Sequence, residues 1–310
     1  MREAAAIVTD KQLGDVLLQQ PCAEMLAHKT GMPTCLWVRK GFRPLVELMP
    51  GCAWPSEGIH SFSEVWCTSW GSKAALQAWK LKTRNRRLVV NKLAHVHWWH
   101  RLVFHQILIE KIITEYWGHY FWRVCGGSPN RMFHSPQLSS PPDNWRHKEE
   151  PSGEFVVINP TAAWPQKYWN AIQWRDLITR VKSFAPSLTI VIAGGSSASE
   201  RTHCEEIVAN CGIDLLNLAG KTSLMEYLHL LSNARLVVCI DGAASHISQA
   251  FEVKTVTIFG TTHDLRWHWP TKSHIALAAR YFMPDQKFGP AAGVPVEAVW
   301  ETVSSLLKID

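Results

Sequence analysis

The stretch Leu236-Val-Val-Cys-Ile-Asp-Gly-Ala-Ala-Ser-His-Ile-Ser-Gln-Ala-Phe251 limits the possible folds more than any other part of the chain. A short apolar run rich in β-branched residues reads as a buried strand, Asp241-Gly242 stops it, and small residues at apolar spacing restart the chain as a helix. That is the strand-to-helix junction of an α/β sheet. Gly242, Ala243 and Ala244 leave the first N–H groups of the helix uncovered, and these donors together with the helix dipole favour an anion such as phosphate. His246 falls on the first turn, beside that anion.

The same rhythm runs along the whole chain. Ala4–Val8 reads as a strand, followed by Gly14 for a tight turn and Asp15 at a helix start; Pro21 kinks or limits that helix. The alternative for Asp15 is a plain N-cap. Thr34–Val38 reads as strand, Phe42–Leu48 as helix, Ser63–Cys67 as strand and Lys73–Lys82 as helix. A basic run, Lys80, Lys82, Arg84, Arg86 and Arg87, then leads into the strand Leu88–Val90. Strands alternating with helices predict a parallel sheet. Residues 94–125 have a period suited to long helical segments with an aromatic face packed on the sheet or touching lipid or an acceptor.

From Gly126 to Gly153 the composition turns to Gly, Ser and Pro, which marks a linker. The boundary is placed near residue 150, giving domains 1–150 and 151–310. The second half repeats the pattern: strand Phe155–Ile158, helix Trp169–Phe184, strand Leu188–Ala193, helix Ser199–Asn210, strand Leu215–Leu218 and helix Ser223–Ser232. The opening junction follows, then strand Thr255–Phe259 and helix Val296–Leu307. Two Rossmann-like halves predict a cleft between them, faced by strand C-termini.

Composition narrows the class. The chain has 310 residues, room for two domains of about 150 residues. Neither a stretch of about eighteen apolar residues nor a signal peptide is visible, and the reading is a cytoplasmic protein. Eight cysteines without a C-x-x-C pair read as buried free thiols. His95, His97, His100, His105 and His119 do not converge at metal-ligand spacing, so no metal is expected. A net charge of +6 suits an acidic partner: a phosphorylated substrate, an anionic membrane face or nucleic acid. The charge is scattered, which disfavours nucleic acid.

Three loops of the second half can reach one ligand: Asn159–Lys167, with Thr161 and Lys167; Gly194–Glu200, whose carboxylate can accept from a ribose; and Asp241–His246, with Gly242, Ala243 and Ser245. A dinucleotide fingerprint and a Walker loop are both missing. Leu13-Gly-Asp-Val-Leu-Leu-Gln-Gln-Pro21, Asn159-Pro160 with Trp164-Pro165-x-Lys167, Gly194-Gly195, Leu218–Leu224, Asp241-Gly242-x-x-Ser245-His246 and Phe259-Gly-Thr-Thr262 occur in one order. In these motifs, from residue 13 to about 270, the chain resembles glycosyltransferase family 9, the lipopolysaccharide heptosyltransferases.

The resemblance implies a GT-B fold of the α/β class and inverting, metal-independent transfer of heptose from ADP-heptose to a hydroxyl of the lipopolysaccharide inner core. It implies that Asp15 is the general base and that Lys167 stabilises the leaving diphosphate. Thr161, Lys167, Glu200, Asp241, Gly242, Ala243, Ser245 and His246 would bind the donor. The implied partners are a nucleotide sugar and a lipopolysaccharide-core or lipid A-type acceptor, with peripheral contact to the anionic inner face of the inner membrane and no cofactor. Three sites depart from the family pattern. Gly242-Ala243 stands for Ser/Thr-Gly, Thr9 for a frequent arginine, and Thr261-Thr-His-Asp264 for Pro-Thr-Asp-Pro. Asp15 and Lys167 favour catalysis, whereas Gly242 favours a non-catalytic nucleotide-sugar binder; a family member with another donor or acceptor is the third reading.

Overall fold

The computed structural model describes residues 3–56, 61–111, 115–127, 132–286 and 288–308. They fall into two compact units, Met1–Ser139 and Ser140–Asp310. The first runs β1 (Ala5–Val8), α1 (Leu13–Leu17), α2 (Gln20–Thr30), β2 (Thr34–Trp37), α3 (Arg43–Leu48), β3 (Cys52–Ala53) and β4 (Glu64–Cys67). It continues through α4 (Ser72–Lys80), β5 (Arg86–Val90), α5 (His100–Val103), β6 (Gln106–Ile109) and α6 (Trp117–Val124). Its strands form one parallel sheet in the order β3-β2-β1-β4-β5-β6, with Ala6 level with Cys35 on one side and Val65 on the other. All four residues of β1 are buried, as a central strand covered on both faces requires.

The second unit contains β7 (Phe155–Asn159), α7 (Ala171–Phe184), β8 (Thr189–Ile192), α8 (Ala198–Cys211), β9 (Leu216–Asn217), α9 (Leu224–Ser232) and β10 (Leu236–Ile240). It closes with α10 (Ala243–Ala250), β11 (Thr255–Phe259), α11 (Asp264–Trp267), β12 (His274–Ala278) and α12 (Val296–Lys308). Its parallel sheet has the order β12-β11-β10-β7-β8-β9, the same plan read from the opposite edge. Both are doubly wound Rossmann-type sheets, whose ligand position lies beyond the strand C-termini where the winding reverses. In the second unit that point lies between β7 and β10. The strands β7, β10 and β11 are buried at every residue. Trp169 and Trp174 meet edge to face beneath them, with centroids 5.0 Å apart, and Trp169 Nε1 donates to the Val294 carbonyl at 3.1 Å.

Several local expectations need correction. Residues 94–125 are not long helices: the stretch holds the short α5, the edge strand β6 and α6, with 112–114 outside the described residues. Gly14 is not in a turn but is buried inside α1. Pro21 sits in the first turn of α2, where its missing N–H costs no helix bond. The division between the units, after Ser139, falls within the Gly126–Gly153 stretch, and the carboxylate of Glu150 bonds His229 of α9 at 2.9 Å. Upstream, Gln137 and Ser139 hydrogen-bond Gln20 and Leu48 of the first unit. All eight cysteines are free thiols, six of them buried.

Candidate active site

The loops that follow β7, β8, β10 and β11 converge at the reversal point of the second sheet. Lys167, in a short 3₁₀ turn led by Pro165, sends its ammonium to Asp241 at the end of β10: Nζ lies 2.5 Å from Oδ2 and 3.3 Å from the Asp241 carbonyl. The hydroxyl of Thr262, just past β11, donates to the same carboxylate oxygen at 2.5 Å. Asp241 is 2% exposed, so its charge is tolerated only because it is paired and hydrogen-bonded. An ammonium has three donors and Asp241 occupies two, which leaves one for a ligand oxygen. Trp164 flanks this ammonium, its ring centroid 5.3 Å from Nζ.

Gly242 is the N-cap of α10 and no side chain caps that helix, so its first N–H groups stay available to an anion. The φ of Gly242 is −178°, extended backbone open to any residue. A Cβ there would lie 3.2 Å from Ala162 Cβ, a tight contact that the Ala162 loop would have to relieve by a few tenths of an ångström. Ala243 is half-buried at the first helical position. Ser245 and His246 point inward. The Ser245 hydroxyl pairs with Thr257 at 2.8 Å. His246 is 5% exposed, and its Nδ1 has no hydrogen-bond partner. Burial pushes its imidazole down to about 4, with Lys167 and His268 adding to the shift and Asp241 opposing it. At neutral pH it is uncharged, so it adds no cation to an anion site.

The Gly194-Gly195 loop forms the other wall. A Cβ on Gly194 would lie 2.7 Å from Thr161 Oγ1, so glycine is required for close approach. Thr161 is buried, and its hydroxyl has no partner. Glu200 is the third residue of α8. Its carboxylate accepts from Gly195 N–H at 3.1 Å and from the Ser197 hydroxyl at 2.7 Å, while Ser197 caps the helix. Two residues inside the quoted motifs, to which the sequence assigned no role, are also fixed by hydrogen bonds. Asn159 donates to the Thr161 carbonyl at 2.9 Å and accepts from Tyr227 at 2.7 Å. Asp264 is held by Arg280, at 2.7 and 3.0 Å, and by Tyr281 at 2.6 Å. Arg280 lies beyond β12, an element with no clear sequence signal, and that distance along the chain hid the pairing.

In the first unit Asp15 is half-buried as the third residue of α1. Gln12, not Asp15, is the N-cap, so capping does not explain the aspartate. Thr9 is buried at the end of β1 and its hydroxyl meets that of Ser69, beyond β4, at 2.9 Å; together they tie the reversal point of this sheet. Among the described residues no group of three or more His, Cys, Asp or Glu converges as a metal site. Among the described residues no helix is long and apolar enough to cross a membrane.

Comparison with known proteins agrees with this arrangement. A family model described as glycosyltransferase family 9 (heptosyltransferase) matches residues 62–290. Lipopolysaccharide heptosyltransferase 3 of Escherichia coli is 28% identical over 137 residues, which cover 42% of this chain and 40% of that protein. Lipopolysaccharide heptosyltransferase 1 of Pseudomonas aeruginosa is 26% identical over 114 residues, covering 37% and 31%. The matched stretches thus span less than half of each relative. The structure of a family 9 glycosyl transferase from Veillonella parvula superposes with a TM-score of 0.80 at 14% identity, covering 99% of this chain and 98% of that one. E. coli ADP-heptose lps heptosyltransferase II does so with a TM-score of 0.77 at 15% identity, covering 98% of each chain. At such identities the likeness shows the fold, which is GT-B. With the family model matched across most of its length, the chain belongs to glycosyltransferase family 9, the heptosyltransferase family.

Proposed function

We propose that this chain transfers a sugar, L-glycero-D-manno-heptose from ADP-heptose, to a hydroxyl of the lipopolysaccharide inner core. In this reading transfer inverts the anomeric centre, needs no metal or other cofactor, and takes place in the cytoplasm at the inner face of the inner membrane. The observation that carries it is the Lys167–Asp241 pair beside the uncapped start of α10. Asp15 takes the proton of the acceptor hydroxyl as that oxygen attacks the anomeric carbon. The bond to the diphosphate breaks, and its growing charge meets the remaining Lys167 donor and the N–H groups of Gly242 and Ala243. Thr161 supplies a buried hydroxyl, Glu200 a ribose acceptor, and Asp241, Ser245 and His246 hold the wall behind the diphosphate.

Support comes from the family match and from relatives whose names describe lipopolysaccharide heptosyltransferases. An E. coli heptosyltransferase of the same fold has been solved with ADP and with ADP-2-deoxy-2-fluoro heptose. The test is incubation with ADP-heptose and a heptose-free core acceptor, following acceptor mass and ADP release. A mass increase of one heptose is expected. No turnover with ADP binding intact supports the second reading, a non-catalytic nucleotide-sugar binder, which Gly242 favours because it lacks the hydroxyl usual in the family.

A further inference from the structure

Residues 65–109 contain eight Lys and Arg and no Asp or Glu. That segment carries +8 against +6 for the whole chain, so the remaining residues sum to −2. Two of the eight serve the fold. Arg87 pairs with buried Glu64 at 2.5 Å. Arg86 bonds the carbonyls of Ala78, Trp79 and Leu81 at the end of α4 and that of Val103 at the end of α5, at 2.8–3.3 Å. The other six, Lys73, Lys80, Lys82, Arg84, Lys92 and Arg101, are exposed, and among the described residues no ion pair engages them.

The Arg86 clamp has a second effect, since it fixes α4 and α5 side by side. On α4 the small residues Ala74, Ala75 and Ala78 pack inward, and Lys73, Leu76, Trp79 and Lys80 share the outer face at spacings of three and four. On the neighbouring segment Trp98 and Leu102 stand four apart. Leu76 is 53%, Trp79 58%, Trp98 78% and Leu102 76% exposed. Large apolar side chains this open, set among unpaired cations, are the composition of a surface that lies on a bilayer: Trp seats at the headgroup level and Lys and Arg meet anionic lipid.

We infer that the α4–α5 face of the first unit, with Trp79 and Trp98 as anchors and Lys80 and Arg101 as headgroup contacts, docks the protein on an anionic lipid surface. The inference deepens the membrane contact in the function proposed above and rests on it only for the place of action. It needs nothing from the chemistry of the second unit.

The test is co-sedimentation of the full chain with vesicles of phosphatidylethanolamine and phosphatidylglycerol, and with phosphatidylcholine vesicles, at low and high salt. Binding to the anionic vesicles alone, weakened by salt, is expected. K80Q/R101Q should lower it about tenfold or more. W79S/W98S should lower it with the salt dependence retained. The control R175Q, in the second unit, should bind as the parent does. Thermal midpoints and ADP affinity of all variants should stay unchanged, since these side chains are exposed. Equal binding to phosphatidylcholine, parent-like binding by both double variants, or displacement from vesicles by an RNA duplex at equal charge would overturn the inference. Loss of ADP binding by the parent with vesicle binding intact would sink the donor reading alone.

Discussion

The ammonium of Lys167 and the carboxylate of Asp241 meet at 2.5 Å where the winding of the second sheet reverses, linking the loop after β7 to the turn after β10. The pair has a structural duty and a chemical one, and these separate by mutation. Lys167→Ala leaves a buried carboxylate whose remaining side-chain partner among the described residues is Thr262, and the cost is about 3 kcal/mol. Lys167→Met with Asp241→Asn removes both charges and should regain most of that stability. ADP affinity should fall in the single and double variants alike, because a neutral thioether cannot meet a diphosphate. Denaturant unfolding and calorimetric titration with ADP are the measurements; a double variant with full ADP affinity would show that Lys167 is structural only.

Asp15 permits the same separation in the first unit. It lies in the first turn of α1, where the helix dipole favours a carboxylate by about 1 kcal/mol. Asp15→Asn keeps its size and a side-chain oxygen that accepts hydrogen bonds, so the unit should stay folded. If the carboxylate is the general base, kcat should drop by about 10²–10⁴ with ADP affinity untouched. Turnover within a few-fold of the parent would remove Asp15 from that role.

Much of this architecture was legible because central strands of a doubly wound sheet are buried on both faces and read as unbroken apolar runs. Ala4–Val8, Phe155–Ile158, Leu236–Ile240 and Thr255–Phe259 all appear as strands close to their observed limits. The edges were not legible. Cys52–Ala53 is only two residues long, Gln106–Ile109 is partly exposed, and His274–Ala278 mixes a histidine with small residues. None has a pattern distinct from a loop or helix face. The motif residues Lys167 and Asp241 were identifiable, but the inward turn of Ser245 toward Thr257 depends on β11 lying beside β10, which no local spacing reveals.

The histidines around that wall set an acid limit on stability. His246 and His274 are both pushed down to about 4, chiefly by burial. The groups acting on His246 are Asp241, Lys167 and His268. In the unfolded chain each imidazole titrates near 6.5, so between about 6.5 and 4 the unfolded state binds more protons and stability rises with pH. The contribution of the neutral rings is complete above about 6.5 and is lost as pH falls toward 4. Chemical unfolding at pH 7.5, 6, 5 and 4.5 should show a loss of a few kcal/mol across that window. His246→Gln should flatten the lower part of the curve; an unchanged slope would mean that the ring is already protonated in the folded protein.

Gly242 lacks the hydroxyl usual at this turn in the family, and across the loops its position faces Ala162. The backbone at Gly242 is extended and accepts any residue, yet a Cβ there would stand 3.2 Å from the Ala162 methyl, closer than such groups normally pack. The two positions therefore form one steric unit across the β7 and β10 loops. Gly242→Ser alone should cost about 1 kcal/mol through overpacking and shift the loop that carries Thr161. Gly242→Ser with Ala162→Gly removes the opposing methyl and places a hydroxyl at the start of α10, beside the first N–H donors. If the diphosphate of a nucleotide sugar sits there, the pair should bind ADP severalfold more tightly than the parent, whereas the single variant should not. Non-additivity is the deciding measurement, read from ADP titrations and unfolding of all four proteins. Additive effects of the two substitutions would mean that the contact between residues 162 and 242 does not control this end of the helix.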